Sequence, residues 1–148
     1  MLLKGKSIFI VEDNAQNRVI FQMTLIRHGA LVDFERWGAD TVTRLSNLPA
    51  VDLIILDLML ANGLSGLDVC EQIRALPKYA KIPIVAVSAM DPAVAIPQVQ
   101  SKGFNGFIAK PIEKNLFPAQ LGTILDGKQV WHWGRETMQN APYSSPSG

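Results

Sequence analysis

Three acids in this chain stand where a short apolar run ends. Glu12 and Asp13 follow "SIFIV", and Asp57 closes "LIIL" before the chain passes into "LMLANGLSG". A carboxylate at the end of a buried run must be paired, coordinated or protonated, because stripping its water costs several kcal/mol or more. Two further runs end in groups of complementary chemistry. Ser88 follows "PIVAV" with a hydroxyl, and Lys110 follows "GFIA" with an ammonium. Clustered carboxylates raise one another's pKa unless a cation intervenes. Hard oxygens open to water suit Mg²⁺, which binds through one or two carboxylates and a phosphate while keeping several waters. Carboxylates for a metal, a hydroxyl, an ammonium and a candidate nucleophile together describe a phosphoryl-transfer site, with Asp57 as the nucleophile.

The elements that position these groups follow from the apolar period. Strands are expected at Ser7–Val11, Leu31–Phe34, Leu53–Leu56, Ile84–Val87 and Gly106–Ala109, with the two-sided apolar character of parallel strands covered on both faces. Helical segments lie between them. The first is capped by Asn14, carries Val19, Met23 and Ile26 on one face and stops near Gly29. Others are expected at about 39–48, 67–76, 92–102 and 116–125. Pro97 inside "DPAVAIPQVQSKG" predicts a fourth helix that starts late or kinks. Five strands alternating with five helices imply right-handed crossovers and a doubly wound, five-stranded parallel sheet. In such sheets ligands bind outside the carboxyl ends of the strands, where the five groups would converge.

Composition sets the bounds. The chain has 148 residues, 48% hydrophobic and 18% charged, which fits one globular domain with a real core. A formal charge of +1 gives no electrostatic case for nucleic acid or acidic membranes. No apolar run approaches the roughly 20 residues of a membrane span. The single cysteine, Cys70, suits a reducing cytoplasm and reads as a packed helical residue. His28 beside Gly29 suits a helix C-terminus, and His132 has no second metal ligand nearby in sequence.

The ordered set "VEDN", "LIILDLM", "PIVAVSA" and "GFIAKPI" resembles the receiver domain of two-component response regulators, a flavodoxin-like fold, across roughly Lys6 to Leu125. It resembles the stand-alone, single-domain type, with a receiver over residues 1–126 and a partly disordered tail over 127–148. The resemblance implies that Asp57 accepts a phosphoryl group from a histidine kinase or phosphotransfer protein. It implies Mg²⁺ held by Asp13, by Glu12 directly or through water, by Asp57 and by the backbone carbonyl of Met59. Ser88 and Lys110 would grip phosphoryl oxygens, and Phe107 would be the switch aromatic that changes the face formed by the fourth helix, fifth strand and fifth helix. Pro111 invites a cis Lys110–Pro111 bond. Met59 and Met90 occupy the positions where hydrolysis rate is tuned. Such a protein is not an enzyme beyond its own phosphotransfer and autodephosphorylation.

The expected output is contact with a downstream protein. Trp131 and Trp133 are candidate anchors for a partner, for a homodimer, or for the receiver's own surface. Two rival readings are a pseudo-receiver that binds without phosphorylation and an aspartate-nucleophile phosphatase. Intact acids, Ser88 and Lys110 oppose the first. Against the second, Met59 stands where such phosphatases carry another acid. The chain also departs from the pattern "DLMLPGLSG". It has Ala61 in place of proline and one extra residue before Gly66, which predicts a longer and less stiff loop beside the site.

Overall fold

The computed structural model describes residues 1–134; the expectation for the rest of the tail, 135–148, lies outside the described residues. Strands β1 (Ser7–Val11), β2 (Leu31–Glu35), β3 (Leu53–Leu56), β4 (Ile84–Ser88), β5 (Gly106–Ala109) and β6 (Val130–His132) form one sheet in the order β2-β1-β3-β4-β5-β6. Every pairing is parallel. Helices α1 (Ala15–Arg27), α2 (Thr41–Asn47), α3 (Gly66–Arg74), α4 (Pro92–Ser101) and α5 (Phe117–Leu125) make the crossovers. The order reverses at β1, between β2 and β3, which places the switch-point crevice at the carboxyl ends of β1 and β3.

The period-2 alternation of the strands divides the core into two layers. Phe9, Val11, Ile54, Leu56, Ile84, Ala86 and Phe107 face α2, α3 and α4, where Leu45, Val69, Ile73, Ala95 and Val99 are buried. Ile8, Ile10, Leu53, Ile55, Val85, Val87 and Ile108 face α1 and α5, meeting Phe21, Leu25, Phe117, Leu121 and Ile124. Phe21 stacks on Phe117 at 5.7 Å between ring centroids, tying α1 to α5. Cys70 of α3 is fully buried in the layer that faces α2, α3 and α4, and burial pushes its thiol up to about 11, so it stays protonated and unreactive.

Three expectations are corrected. The sheet has six strands, because "VWH" in the segment expected to be tail adds to the free edge of β5. The fourth helix neither starts late nor breaks: it runs from Pro92 through Pro97 to Ser101. Pro92 sits in the first turn, where its missing N–H has no intrahelical role, and the Asp91 carboxylate caps Ala93 N–H at 3.1 Å. Pro97 forfeits one second-turn hydrogen bond, which burial of Ala95, Ile96 and Val99 offsets. Finally, the apolar stripe Val19, Met23 and Ile26 of α1 lies outside the core, each residue at least half exposed, while Phe21, Thr24 and Leu25 turn inward.

Candidate functional site

The register brings the chemistry together. Val11 pairs with Leu56, so Glu12 and Asp57 leave the sheet side by side, and the Asp57 N–H donates to the Val11 carbonyl at 3.2 Å. Ser88 pairs with Ala109 across β4 and β5, and the Lys110 N–H donates to the Ser88 carbonyl at 2.9 Å. Asp13 follows Glu12 in the turn entering α1, where the Asn14 side chain accepts from Asn17 N–H at 3.0 Å. Arg18, one turn into that helix, donates to the Glu12 carbonyl at 3.0 Å and fixes the turn.

The Lys110 ammonium lies between two carboxylates, 2.7 Å from Glu12 Oε1 and 2.8 Å from Asp57 Oδ2. Both acids are almost fully buried, at 1% and 5% exposure, so the lysine supplies the cation that burial demands. Burial by itself disfavours the charged ammonium. The hydrogen bonds from Lys110 to Asp57 and Glu12, with the charges of those acids, outweigh that penalty and raise its pKa. Asp57 Oδ1 accepts from Met59 N–H at 3.0 Å, and Glu12 Oε2 from Asn14 N–H at 3.2 Å. Carboxylate oxygens of Glu12, Asp13 and Asp57 all lie within 4.8 Å of one another, with Asp13 half-buried. This donor set, all hard oxygen and close enough for one ion, fits Mg²⁺.

Ser88 is fully buried, and its hydroxyl oxygen accepts from Met90 N–H at 3.2 Å. Phe107 is also fully buried, four residues before a cis Lys110–Pro111 bond ends. Met59 is exposed and Met90 half-buried, both at the mouth of the site. Beyond Lys110 the carboxyl ends of β4 and β5 open into a cleft of about 700 Å³, walled by Met90, Pro92, Lys114, Leu116 and Trp133.

The lengthened loop after Asp57 is closed rather than open. A 3₁₀ turn spans Ala61–Gly63, and an antiparallel bridge joins Met59 to Ser65. The bridge uses Leu60 N–H to Leu64 O at 3.3 Å and Gly66 N–H to Leu58 O at 3.2 Å, so the Met59 carbonyl takes no part in it. Ser65 caps α3 by accepting from Leu67 N–H at 3.1 Å. Gly66 is a positioning residue that the sequence marked only as the end of the loop. A Cβ there would collide with the Asp57 backbone carbonyl, so only glycine lets α3 approach so closely.

The chain matches the family described as response regulator receiver domain over residues 8–121. It is 26% identical over 139 residues to the transcriptional regulatory protein AfsQ1 of Streptomyces coelicolor, covering 94% of this chain and 57% of that protein. It is 30% identical over 130 residues to the sensory transduction protein RegX3 of Mycolicibacterium smegmatis, covering 80% of this chain and 50% of that one. The chain thus spans about half the length of these curated relatives. Among solved structures it resembles a putative response regulator from Chloroflexus aurantiacus, at 26% identity, TM-score 0.75, and coverage of 83% of this chain and 99% of that one. It also resembles the receiver domain of a sensor histidine kinase from Pseudomonas aeruginosa, described with a magnesium ion coordinated in its active-site cleft. That match has 25% identity, a TM-score of 0.73, and covers 84% of this chain and 99% of that one. With the parallel sheet, the buried Asp57 and the family match in register, the chain belongs to the response regulator receiver domain family.

Proposed function

We propose that this chain is a phosphorylation-dependent signalling switch in which Asp57 is the phosphoacceptor. The observation that carries the reading is the Lys110 ammonium held between Glu12 and Asp57, with the third acid of the cluster, Asp13, half-buried beside them. An Asp57 oxygen attacks the phosphorus of a phosphohistidine or acetyl phosphate donor. The new O–P bond forms as the donor's P–N or P–O bond breaks, and the leaving group departs with the bonding pair. Imidazole takes up a proton as it leaves, whereas acetate does not need one.

Each neighbour has a part in that transfer. Lys110, kept charged by its two acids, pairs with an oxygen of the transferred group and holds the Asp57 carboxylate in place for attack. Met59 N–H holds the other Asp57 oxygen and orients the carboxylate. Asp13, Asp57, Glu12 and the Met59 carbonyl, which the loop bridge does not use, would hold Mg²⁺, whose charge would offset that of the phosphoryl oxygens. The acyl phosphate adds about −1.5 to −2 charges. Its oxygens draw the Ser88 hydroxyl inward, and Phe107 turns toward the space vacated, changing the α4–β5–α5 surface read by a protein partner.

A histidine kinase or phosphotransfer protein is the donor class. Similarity to a segment of the histidine-protein kinase BarA of Escherichia coli, 30% identical over 111 residues, agrees with that class. The chain turns over only its own acyl phosphate, in keeping with the apolar Met59 two residues beyond the nucleophile. Output is protein–protein contact, with a homodimer among its forms and no direct role for nucleic acid. No helix among the described residues is long and apolar enough to cross a membrane, which agrees with a cytoplasmic setting. The test is incubation with acetyl phosphate and Mg²⁺ followed by intact mass. One phosphoryl adduct on the parent chain and none on Asp57→Asn is expected. Full labelling of Asp57→Asn would overturn the assignment, and an unlabelled parent would favour a pseudo-receiver.

A further inference from the structure

The sixth strand is short, lies at the sheet edge, and touches both parts of the site expected to move. Among the described residues its three residues pair only with β5, in the register Gly106 to Val130, Phe107 to Trp131 and Ile108 to His132. Val130 and Trp131 fall on opposite faces of the sheet. Val130 packs on the α1/α5 layer, and Trp131 packs on the layer that contains Phe107. Register partners on parallel strands project to the same face about 4.8 Å apart, so Trp131 is the immediate lateral neighbour of Phe107. Beyond it, Trp133 and Gly134 wall the cleft whose other side is Met90 and Lys110, and a Cβ at Gly134 would lie 3.4 Å from the Ala109 Cβ. The fit at the start of the strand is close too. A Cβ at Gly106 would stand 2.7 Å from the Val130 carbonyl oxygen.

We propose that β6 is a strand released by phosphorylation, docked on β5 while Phe107 and Met90 hold their resting positions and freed when they shift. The proposal rests on reading Asp57 as the phosphoacceptor. When the Ser88 hydroxyl turns toward a phosphoryl oxygen, Met90 N–H loses its acceptor, and the wall facing Trp133 moves. When Phe107 withdraws toward β4, Trp131 loses its lateral neighbour and faces a void that side chains fill poorly. A three-residue edge strand belongs to the least stable part of a fold, and besides these two contacts β6 is held by Val130 packing, the Val130 N–H to Asn105 carbonyl bond and the 3.9 Å approach of His132 Nε2 to Glu113 Oε2. Release returns the β5 edge to solvent, with its unpaired N–H and C=O groups, and rebuilds the output face. Coupling is reciprocal: a change that loosens β6 makes phosphorylation more favourable.

Amide hydrogen exchange of the peptide spanning residues 128–134, measured with and without acetyl phosphate and Mg²⁺, tests this, with intact mass run in parallel. In the phosphorylated fraction, exchange at residues 130–132 should rise about tenfold, while β3 amides stay protected. Trp131→Ala and, independently, Gly106→Ala should raise that exchange without phosphodonor. Both should also increase the labelled fraction at limiting acetyl phosphate, which a purely structural role of β6 would not do. A labelled parent chain with unchanged exchange at 130–132 overturns the release while leaving the phosphoacceptor reading intact. A parent chain that takes no adduct overturns both.

Discussion

Lys110 Nζ stands 2.8 Å from Asp57 Oδ2, an ion pair joining the carboxyl ends of β5 and β3 across the intervening β4. The same ammonium reaches Glu12, the residue that follows β1, so one side chain spans four neighbouring strand ends. The sheet brings these charges together, and the lysine makes their burial tolerable.

Removing that cation should therefore unmask the acids. Lys110→Met leaves Glu12 and Asp57 buried without a counter-charge, and breaking a buried pair costs about 3 kcal/mol. Urea unfolding in the absence of divalent ions should show a loss of this size relative to the parent. Mg²⁺ should restore part of it, because an ion among the three carboxylates replaces the missing charge.

The same contact sets a pH dependence whose sign is fixed. The folded pKa of Lys110 is raised, so its contribution to stability is complete below the unfolded value of about 10.4 and is lost as pH rises through the folded value. Stability of the parent should fall on the alkaline side of that value, and Lys110→Met should lack this component of the fall. Urea midpoints measured between neutral pH and the alkaline limit check it.

Gly66 carries a steric prediction. Gly66→Ala drives a methyl group into the Asp57 carbonyl, and backbone cannot yield as a flexible side chain can. A destabilisation of about 2 kcal/mol is expected, typical of overpacking, together with slower labelling by acetyl phosphate. Thermal unfolding and the initial rate of adduct formation measure the two effects.

The apolar mouth of the site bears on the lifetime of the phosphoryl group. Met59 and Met90 put thioether side chains where an attacking water must be held, and neither can orient it. Met59→Asn supplies an amide that can, so the acyl phosphate should decay several-fold faster than in the parent. Decay followed by intact mass after removal of the donor decides the matter, and a shorter half-life in the parent would oppose it.

The site was legible because its chemistry sits at the ends of apolar runs. Asp57 after "LIIL" and Lys110 after "GFIA" announce both the strand and the group leaving it, and parallel pairing does the rest. Other features depend on contacts far apart in sequence. β6 is three residues in a polar segment, and its strand character comes from the open edge of β5. The stripe Val19, Met23 and Ile26 has helical spacing, but spacing cannot say which of two apolar faces meets the sheet; Phe21 and Leu25 take that place. The glycine requirement at 66 arises from the Asp57 carbonyl across the loop, which no local pattern records.

The central claim is that a phosphoryl group is carried on the Asp57 carboxylate. Borohydride reduces an acyl phosphate to the alcohol, converting a phosphorylated aspartate to homoserine and releasing phosphate, and leaves free carboxylates untouched. After treatment with acetyl phosphate and Mg²⁺, reduction and peptide mapping should find homoserine at position 57, with Glu12 and Asp13 unmodified. Homoserine at Asp13, reduction at Glu12, or an adduct resting on His28 or His132 with Asp57 intact would contradict the account.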